Sequence, residues 1–424
     1  MASPFTYLAR DLLSWNALDS LPYQGVQFGK VLDQHGPWAG SLPLADPNVQ
    51  KFDWKDATRT ARTALFVDLQ GTLVWGGIVW TTGYDSDDPT HSLKVGATEF
   101  GSFFQHRLQA QDYGSESVVG KLWEETGENP MEIIKRIITD AQTKEAEGPG
   151  YVTAAKIPIV IHGEVSAEDK VKTSYPATSL QTIDSINSTL TQIGFAAGYD
   201  YSWDVAYKAG TKIPTVQLNL WYPIKGRTAE ESGIVILGRD TVKWSYPEDG
   251  TQMADAVTET GGTGVIPVTA SELVPVTGNH EATGAYGEPI TTASGYPLLE
   301  KANSRTQITT EQLLAKIALG DLALCFYPVV TPSIVLPASL PETPARNRQT
   351  LALGEFDIGD QLVFRIDPMA GGGPNTDPRF PEGMEYTWRI TQWTCVPADK
   401  GLSTVQLDLG MPPLHFIPPE PPPH

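Results

Sequence analysis

The chain has 424 residues, 40% of them hydrophobic, which is enough for about two to four domains with sizeable cores and too apolar for a disordered polymer. Fifty acidic residues against thirty basic ones leave a formal net charge of −20. That balance argues against a nucleic-acid sheath or a binder of anionic membranes, since either needs a basic face.

Two cysteines cannot staple a chain of this length, so the fold is expected to form without disulfides, in a reducing compartment. Cys325 in "LALCFYP" and Cys395 in "QWTCVPA" read as small core residues. The apolar runs "IPIVIHG" and "LALCFYPVVTPSIVLP" are broken by Pro, His or Gly well before the roughly 20 residues that a membrane-spanning helix needs. The opening "MASPFTYLARDLLSWNALDS" shows no basic region followed by an apolar stretch, so no secretory signal is expected. With 34 Pro, 39 Gly, 11 Trp and 15 Tyr, the composition predicts strands, turns and loops.

After an alternating opening and the loop "DQHGPWAGSLPLADPNVQKF", the stretch "ARTALFVDLQGTLVWGGIVWTTGYDSDDPTHSLKVGATEF" predicts a meander. Leu65, Val67 and Leu69 alternate, Gly71 turns the chain, Leu73 to Trp80 form the next strand, and "HSLKVGA" supplies a third. Gly76 and Gly77 are expected to mark a bulge or tight bend. The period then changes. "NPMEIIKRIITDAQ" places Ile133, Ile134, Ile137 and Ile138 on one face, an amphipathic helix with Asn129 as N-cap and Pro130 at its start. A second helix is expected over "SLQTIDSINSTLTQIGFAAG", where Leu180, Ile183, Ile186, Leu190 and Ile193 recur. "YDYSWDVAYKAG" and "IPTVQLNLWYPIKGR" then pair as antiparallel strands.

Residues 248–300, rich in Gly, Thr, Pro and acidic residues, are expected as loops and weak strands, and "TTEQLLAKIALGDLALC" as a third helix. Beyond the break "LPASLPETPARNRQT", "FDIGDQLVFRIDP" is a strand entered through Ile358-Gly359-Asp360, and "MEYTWRITQWTCVPADKGLSTVQLDLG" adds two more. The fold class expected is therefore multidomain, β-rich α+β. Two small antiparallel β-barrel-like domains, at 1–110 and 346–412, flank an α+β middle domain at 111–247 and a loop-rich subdomain at 248–345. A proline-rich tail at 413–424 runs extended.

Motifs that carry chemistry are scarce. His35, His91, His106, His162, His280, His415 and His424 form no His-Glu-x-x-His or comparable metal pattern, and His162 reads as a satisfied structural residue at a strand end. "TETGGTG" lacks the Lys-Ser/Thr of a phosphate loop, and no Gly-x-Ser-x-Gly elbow occurs. The acidic groups Glu124 with Glu125, Asp85 with Asp87 and Asp88, and Glu355 with Asp357 have the residue types of glycosidase pairs or, for Asp85, Asp87 and Asp88, of a calcium loop, but lack the spacing and read as solvated surface and turns. No catalytic, cofactor-binding or metal residue is assigned, and no cofactor is expected. The aromatics are the stronger feature: Trp75, Trp80, Trp221, Tyr222, Trp388 and Trp393 lie on or beside predicted strands. Most are expected in the core, and the surplus in subunit contacts.

Three stretches together resemble the hub proteins of long-tailed phage tail tips, in particular the minor tail or hub-like proteins of phages of actinobacteria. They are the meander "ARTALFVDLQGTLVWGGIVWTTGYDSDDPTHSLKVGATEFGSFF", the middle strands "YSWDVAY" to "LNLWYPIKGR", and the closing strands "GEFDIGDQLVFRI", "YTWRITQWTC" and "VQLDLG". The resemblance implies a virion protein, assembled in the host cytoplasm, that acts as a homotrimer at the tail tip. Two barrel-like domains per subunit would make a pseudo-sixfold ring that adapts the sixfold tail tube and distal tail protein to a threefold tip. The tape-measure protein and the phage DNA would pass its lumen, and other minor tail or fibre proteins would attach to it. Many relatives continue into fibre or wall-cleaving extensions; this sequence has "MPPLHFIPPEPPPH" there and departs from that pattern.

Two other classes predict different surfaces. A carbohydrate- or receptor-binding module would lay the Trp75–Trp80 and Trp388–Trp393 strands flat against sugar. A cell-wall hydrolase would hold a perturbed Glu or His in a deep pocket.

Overall fold

The computed structural model describes residues 4–85, 91–109, 125–143, 157–164, 173–175, 181–191, 199–222, 224–237, 240–241, 243–262, 264–271, 298–305, 311–325, 328–338, 353–371, 375–398 and 403–410. The chain opens with β1 (Phe5–Asp11), β2 (Ala17–Ser20), β3 (Gln24–Val31), β4 (Pro37–Pro43), the short α1 (Trp54–Ala57), β5 (Thr63–Leu69), β6 (Thr72–Tyr84) and β7 (Ser92–Glu99). The middle holds β8 (Glu125–Glu128), α2 (Pro130–Thr143), β9 (Ile159–His162), β10 (Thr173–Tyr175), α3 (Ile183–Thr191), β11 (Asp200–Tyr207), β12 (Pro214–Trp221) and α4 (Ala229–Ser232). Then come β13 (Ile234–Ile236), β14 (Lys243–Ser245), β15 (Glu248–Asp249), β16 (Ala256–Thr260), β17 (Val268–Ser271), β18 (Glu300–Ser304), α5 (Glu311–Cys325) and β19 (Val329–Val330). The chain closes with β20 (Ser333–Pro337), β21 (Gln361–Ile366), β22 (Met384–Val396) and β23 (Thr404–Gly410).

Strands from the two ends of the chain share one sheet. Among the described residues this sheet has thirteen strands, eleven along the open path β14-β20-β23-β22-β3-β4-β7-β6-β5-β1-β2, with β21 beside β22 and β13 beside β21. The antiparallel meanders expected at both ends are present, but no closed barrel forms among the described residues. The seam between the two sets is β22 against β3, in the register Gln392↔Val31, Trp393↔Lys30, Thr394↔Gly29 and Cys395↔Phe28. Unpaired strand edges carry backbone donors and acceptors that must be satisfied, and here the edges of the two meanders satisfy each other. β22 manages this by changing partners along its length: Met384 to Arg389 pair with β21, and Gln392 to Cys395 with β3. The pairing with β23 shifts register between Ile390 and Gln392, a bulge that re-aims the strand.

A single core spans the seam. Phe28, Trp38 and Trp75 from the N-terminal strands pack with Leu362, Phe364, Trp388 and Trp393 from the C-terminal ones. Every residue of β5 is buried, because a second core covers its other face. Leu65, Val67 and Leu69 point into the first core, and Ala64 and Phe66 into the second. The second core contains Ile133, Ile134, Ile137 and Ile138 of α2, Ile183, Ile186 and Leu190 of α3, and Tyr201, Trp203, Val216, Leu218 and Leu220 of the β11–β12 hairpin.

The periodic segments form as expected. Asn129 caps α2, its Oδ1 accepting the Met131 N–H at 2.9 Å. β11 and β12 pair antiparallel from Asp200↔Trp221 to Tyr207↔Pro214. The third expected helix is α5, packed on the sheet β17-β16-β18; residues 272–297 and the proline-rich tail lie outside the described residues.

The glycine pair differs from the expectation. Gly76 and Gly77 pair in register with Phe66 and Leu65, and the β6 bulges fall on either side of them, next to Val67 and Val79. What these two positions require is space: a Cβ on Gly77 would lie 2.2 Å from the Thr98 carbonyl oxygen, and one on Gly76 2.7 Å from Val205. The smallest residues are where the hairpin and the neighbouring strand press onto β6. Among the described residues no helix is long and apolar enough to cross a membrane.

Candidate assembly surfaces and a buried ionic junction

The six aromatic candidates divide by burial. Trp75, Trp388 and Trp393 are core residues of this chain, and Trp75 donates its indole N–H to the Gly29 carbonyl at 3.0 Å. Their rings are spent on intrachain packing: Phe28 meets Trp393 edge to face, and Tyr386 and Tyr246 meet Trp388. Trp80, Trp221 and Tyr222 keep part of their rings at the surface. Trp80 sits at the β6 bulge, lies tilted against the His106 ring with centroids 4.6 Å apart and donates its N–H to Ser102 Oγ at 2.8 Å. Trp221 lies under the Lys225 ammonium at 4.9 Å.

The other sequence candidates are scattered. Glu355 is exposed, whereas Asp357 turns inward to Lys225, so the two carboxylates part company. Asp87, Asp88 and Glu124 lie outside the described residues. His162 is exposed at the end of β9. Among the described residues no cluster of three or more His, Cys, Asp or Glu side chains is placed to hold a metal ion. Both cysteines are buried, and burial pushes the Cys395 thiol up to about 12.

An open groove of about 520 Å³ runs over the outer face of β1 and β2 against the tip of the β11–β12 hairpin. Arg10, Asp68, Tyr207 and Lys212 line it. Asp68 is already engaged there by the Tyr207 hydroxyl and by the Gly71 N–H at 2.6 Å, and the Lys212 ammonium rests 4.6 Å from the Tyr207 ring.

The densest polar constellation is internal. It lies where the N-terminal strands, the β11–β12 hairpin and the β21–β22 region converge. Lys30 of β3, buried, pairs with Asp204 of β11 and lies 3.8 Å from Asp357. Asp204 also accepts Ser202 Oγ and Asn219 Nδ2, both at 2.6 Å. Lys225 binds Asp357 and donates to the Ile358 carbonyl at 2.9 Å. Arg389 of β22 binds Asp200 of β11 and donates to the Gly359 and Lys225 carbonyls at 3.1 and 2.8 Å. Asp360 takes both the backbone and the guanidinium of Arg227. Gly226 and Gly359, both with positive φ, let the two turns touch: a Cβ on Gly226 would lie 2.0 Å from the Gly359 carbonyl oxygen.

Electrostatics separates the members. For Lys30, burial alone would weaken the charged form, and the Asp204 and Asp357 carboxylates outweigh it and raise the pKa. For Asp204, burial works upward and the Lys30 and Lys225 ammoniums hold the carboxyl well below the usual range. Glu99 is the reverse case: burial lifts it well above the usual range, against the pull of Lys30 and of the Gly36 N–H at 2.7 Å. Asp33, in the β3–β4 corner, is pushed up to about 8 by burial and by Asp200. None of these residues stands out as a motif. The available signal was a charge in mid-strand, Asp204 in "YSWDVAY" and Arg389 in "YTWRITQW", where the alternation is otherwise aromatic and apolar.

No protein-family model matches the sequence, and no curated protein sequence matches it. Among solved structures the chain is similar to the 43 kDa tail protein of prophage MuSo2 from Shewanella oneidensis, with a TM-score of 0.55 at 12% identity over 97% of this chain and 100% of that one. It is also similar to the tail protein from Neisseria meningitidis MC58, with a TM-score of 0.53 at 10% identity over 95% of this chain and 96% of that one. At such identities the likeness is one of fold, and the chain shares the fold of these two tail proteins along nearly its whole length.

Proposed function

We propose that this chain is a non-enzymatic structural protein of a phage-type tail, and within it the tip hub. The carrying observation is the β3–β22 seam: one chain fixes two β-meanders, drawn from its opposite ends, side by side in one sheet and around one core. In this reading residues 1–110 and 346–412 of three subunits supply six such modules to a ring. The ring joins the sixfold tail tube and distal tail protein to a threefold tip. The tape-measure protein and DNA pass its lumen, and other minor tail or fibre proteins attach outside. The shared fold with two tail proteins supports the tail role; the trimer and the tip position rest on the resemblance of the three strand stretches to tail hubs.

Trp80, Trp221 and Tyr222, the candidates that keep surface, are assigned to contacts between subunits or with neighbouring tail proteins. The test is the mass and symmetry of the purified protein, by light scattering and negative-stain imaging, alone and with isolated tail tubes. A threefold ring with a central hole is expected. A chain that stays monomeric under both conditions overturns the hub reading.

A further inference from the structure

The β1–β2 turn and the tip of the β11–β12 hairpin are fastened to each other. Trp15, at the end of that turn, donates its indole N–H to the Pro214 carbonyl at 2.9 Å. It does so from the left-handed region, at φ 60°, a conformation that a bulky residue keeps only where its surroundings hold it. Arg10 donates to the Trp15 carbonyl at 2.6 Å and also lines the open groove, so the groove and this fastening share a wall.

Three cations frame the groove: Arg10 on β1, and Lys208 and Lys212 at the hairpin tip. Among the described residues none of the three forms an ion pair. A guanidinium has five N–H donors, and burial pulls the pKa of this one down. The two carboxylates that line the groove already have donors. Asp68 takes the Tyr207 hydroxyl and the Gly71 N–H, and Asp19 takes the Ser20 and Asp53 N–H groups at 2.8 and 3.3 Å. Three cations against two carboxylates is a local positive excess in a chain of net charge −20.

Leu8, Ala17 and Leu18 supply the apolar wall. Beside it Leu13, in the turn, is 47% exposed and Ile213, at the hairpin tip, 45%. Apolar surface rimmed by charge is the make-up of a protein interface. Because the groove is open, a small molecule would keep much of its surface in water there, whereas a chain segment runs past both ends. A nucleic acid carries its charge along the whole backbone, which would meet the acidic remainder of this surface.

We propose that this groove docks an extended segment of another protein in which acidic side chains alternate with apolar ones. The apolar side chains lie on Leu8 and Leu18, and the carboxylates reach Arg10, Lys208 and Lys212. The inference goes beyond the hub reading and does not rest on it, since it requires only a second protein.

Fluorescence anisotropy with a labelled hexapeptide of alternating leucine and glutamate tests this on the full chain. Saturable binding is expected, and the double charge reversal Lys208→Glu with Lys212→Glu should weaken it about tenfold or more. Both lysines are exposed, and a melt checks that the fold survives; Lys212→Gln is read in its place if it does not. Lys94→Glu, exposed on β7, should bind as the wild type does. Absence of saturable binding to the wild type, an affinity unchanged in the double variant, or equal weakening by Lys94→Glu overturns the proposal. So does a DNA oligonucleotide that displaces the peptide, or a fall in the chain's own mass by light scattering in the double variant. Those two results would give the groove to a nucleic acid or to a second copy of this chain.

Discussion

Phe28 on β3 and Trp393 on β22 meet edge to face with ring centroids 5.9 Å apart, and Phe28 meets Phe5 in the same way at 5.8 Å. One fully buried ring therefore ties the first strand of the chain to one of its last. Phe28→Ala should cost about 3–5 kcal/mol, since it removes a large side chain from a core that cannot collapse onto the gap. A denaturant melt should show a lowered midpoint. Hydrogen exchange should report lost protection in β22 as well as in β3. Loss confined to the N-terminal strands would mean that the two meanders fold independently.

Arg389 and Asp200 form a buried pair across the junction. Arg389→Met leaves the Asp200 charge uncompensated and should destabilise by about 3–5 kcal/mol. Combining it with Asp200→Asn should recover a large part of that, because the uncompensated charge is gone. Equal melts for the single and double variants would place the cost in packing instead.

Gly77→Ala sets a methyl group against the Thr98 backbone carbonyl and should cost about 1–3 kcal/mol. Gly83 on the same strand has nothing within 4 Å of a built Cβ, so Gly83→Ala is the control, with a change of about 0.5 kcal/mol or less. Chemical denaturation of the two variants side by side checks the contrast.

Acid stability should depend on Asp11. Its carboxylate accepts the Ser14 N–H at 2.7 Å and Arg62 Nε at 2.6 Å, and although burial works the other way, these bonds hold it down to about 2. A depressed folded-state pKa gives stability that is fully present above the ordinary carboxylate range and lost as pH falls through about 2. Melting temperatures at pH 5 and pH 2.5 should differ more in the wild type than in Asp11→Asn.

Much of the element order was legible. The isoleucines of α2 repeat at helical spacing, Asn129 precedes Pro130 where a cap belongs, and "YSWDVAY" and "VQLNLW" alternate as a hairpin with one buried face does. These features depend on neighbours a few residues apart, so a linear reading reaches them. The glycine pair was legible as special and misread in kind, because a bulge and a close approach demand the same missing side chain.

By itself the sequence determined the β-rich class, the helices, the Asn129 cap of α2, the buried cysteines and the alternating strands, since each follows from local periodicity and side-chain chemistry. Only the tertiary structure decided that the two end meanders join through β3 and β22 in place of closing separately. Backbone hydrogen bonding is nearly blind to side-chain identity, so nothing local marks which edges will meet. It also decided which tryptophans keep surface and that Lys30, Asp33, Asp200, Asp204, Lys225, Asp357 and Arg389 form one junction. Coulomb and desolvation energies depend on separation and burial in space, and those are set only when distant strands pack.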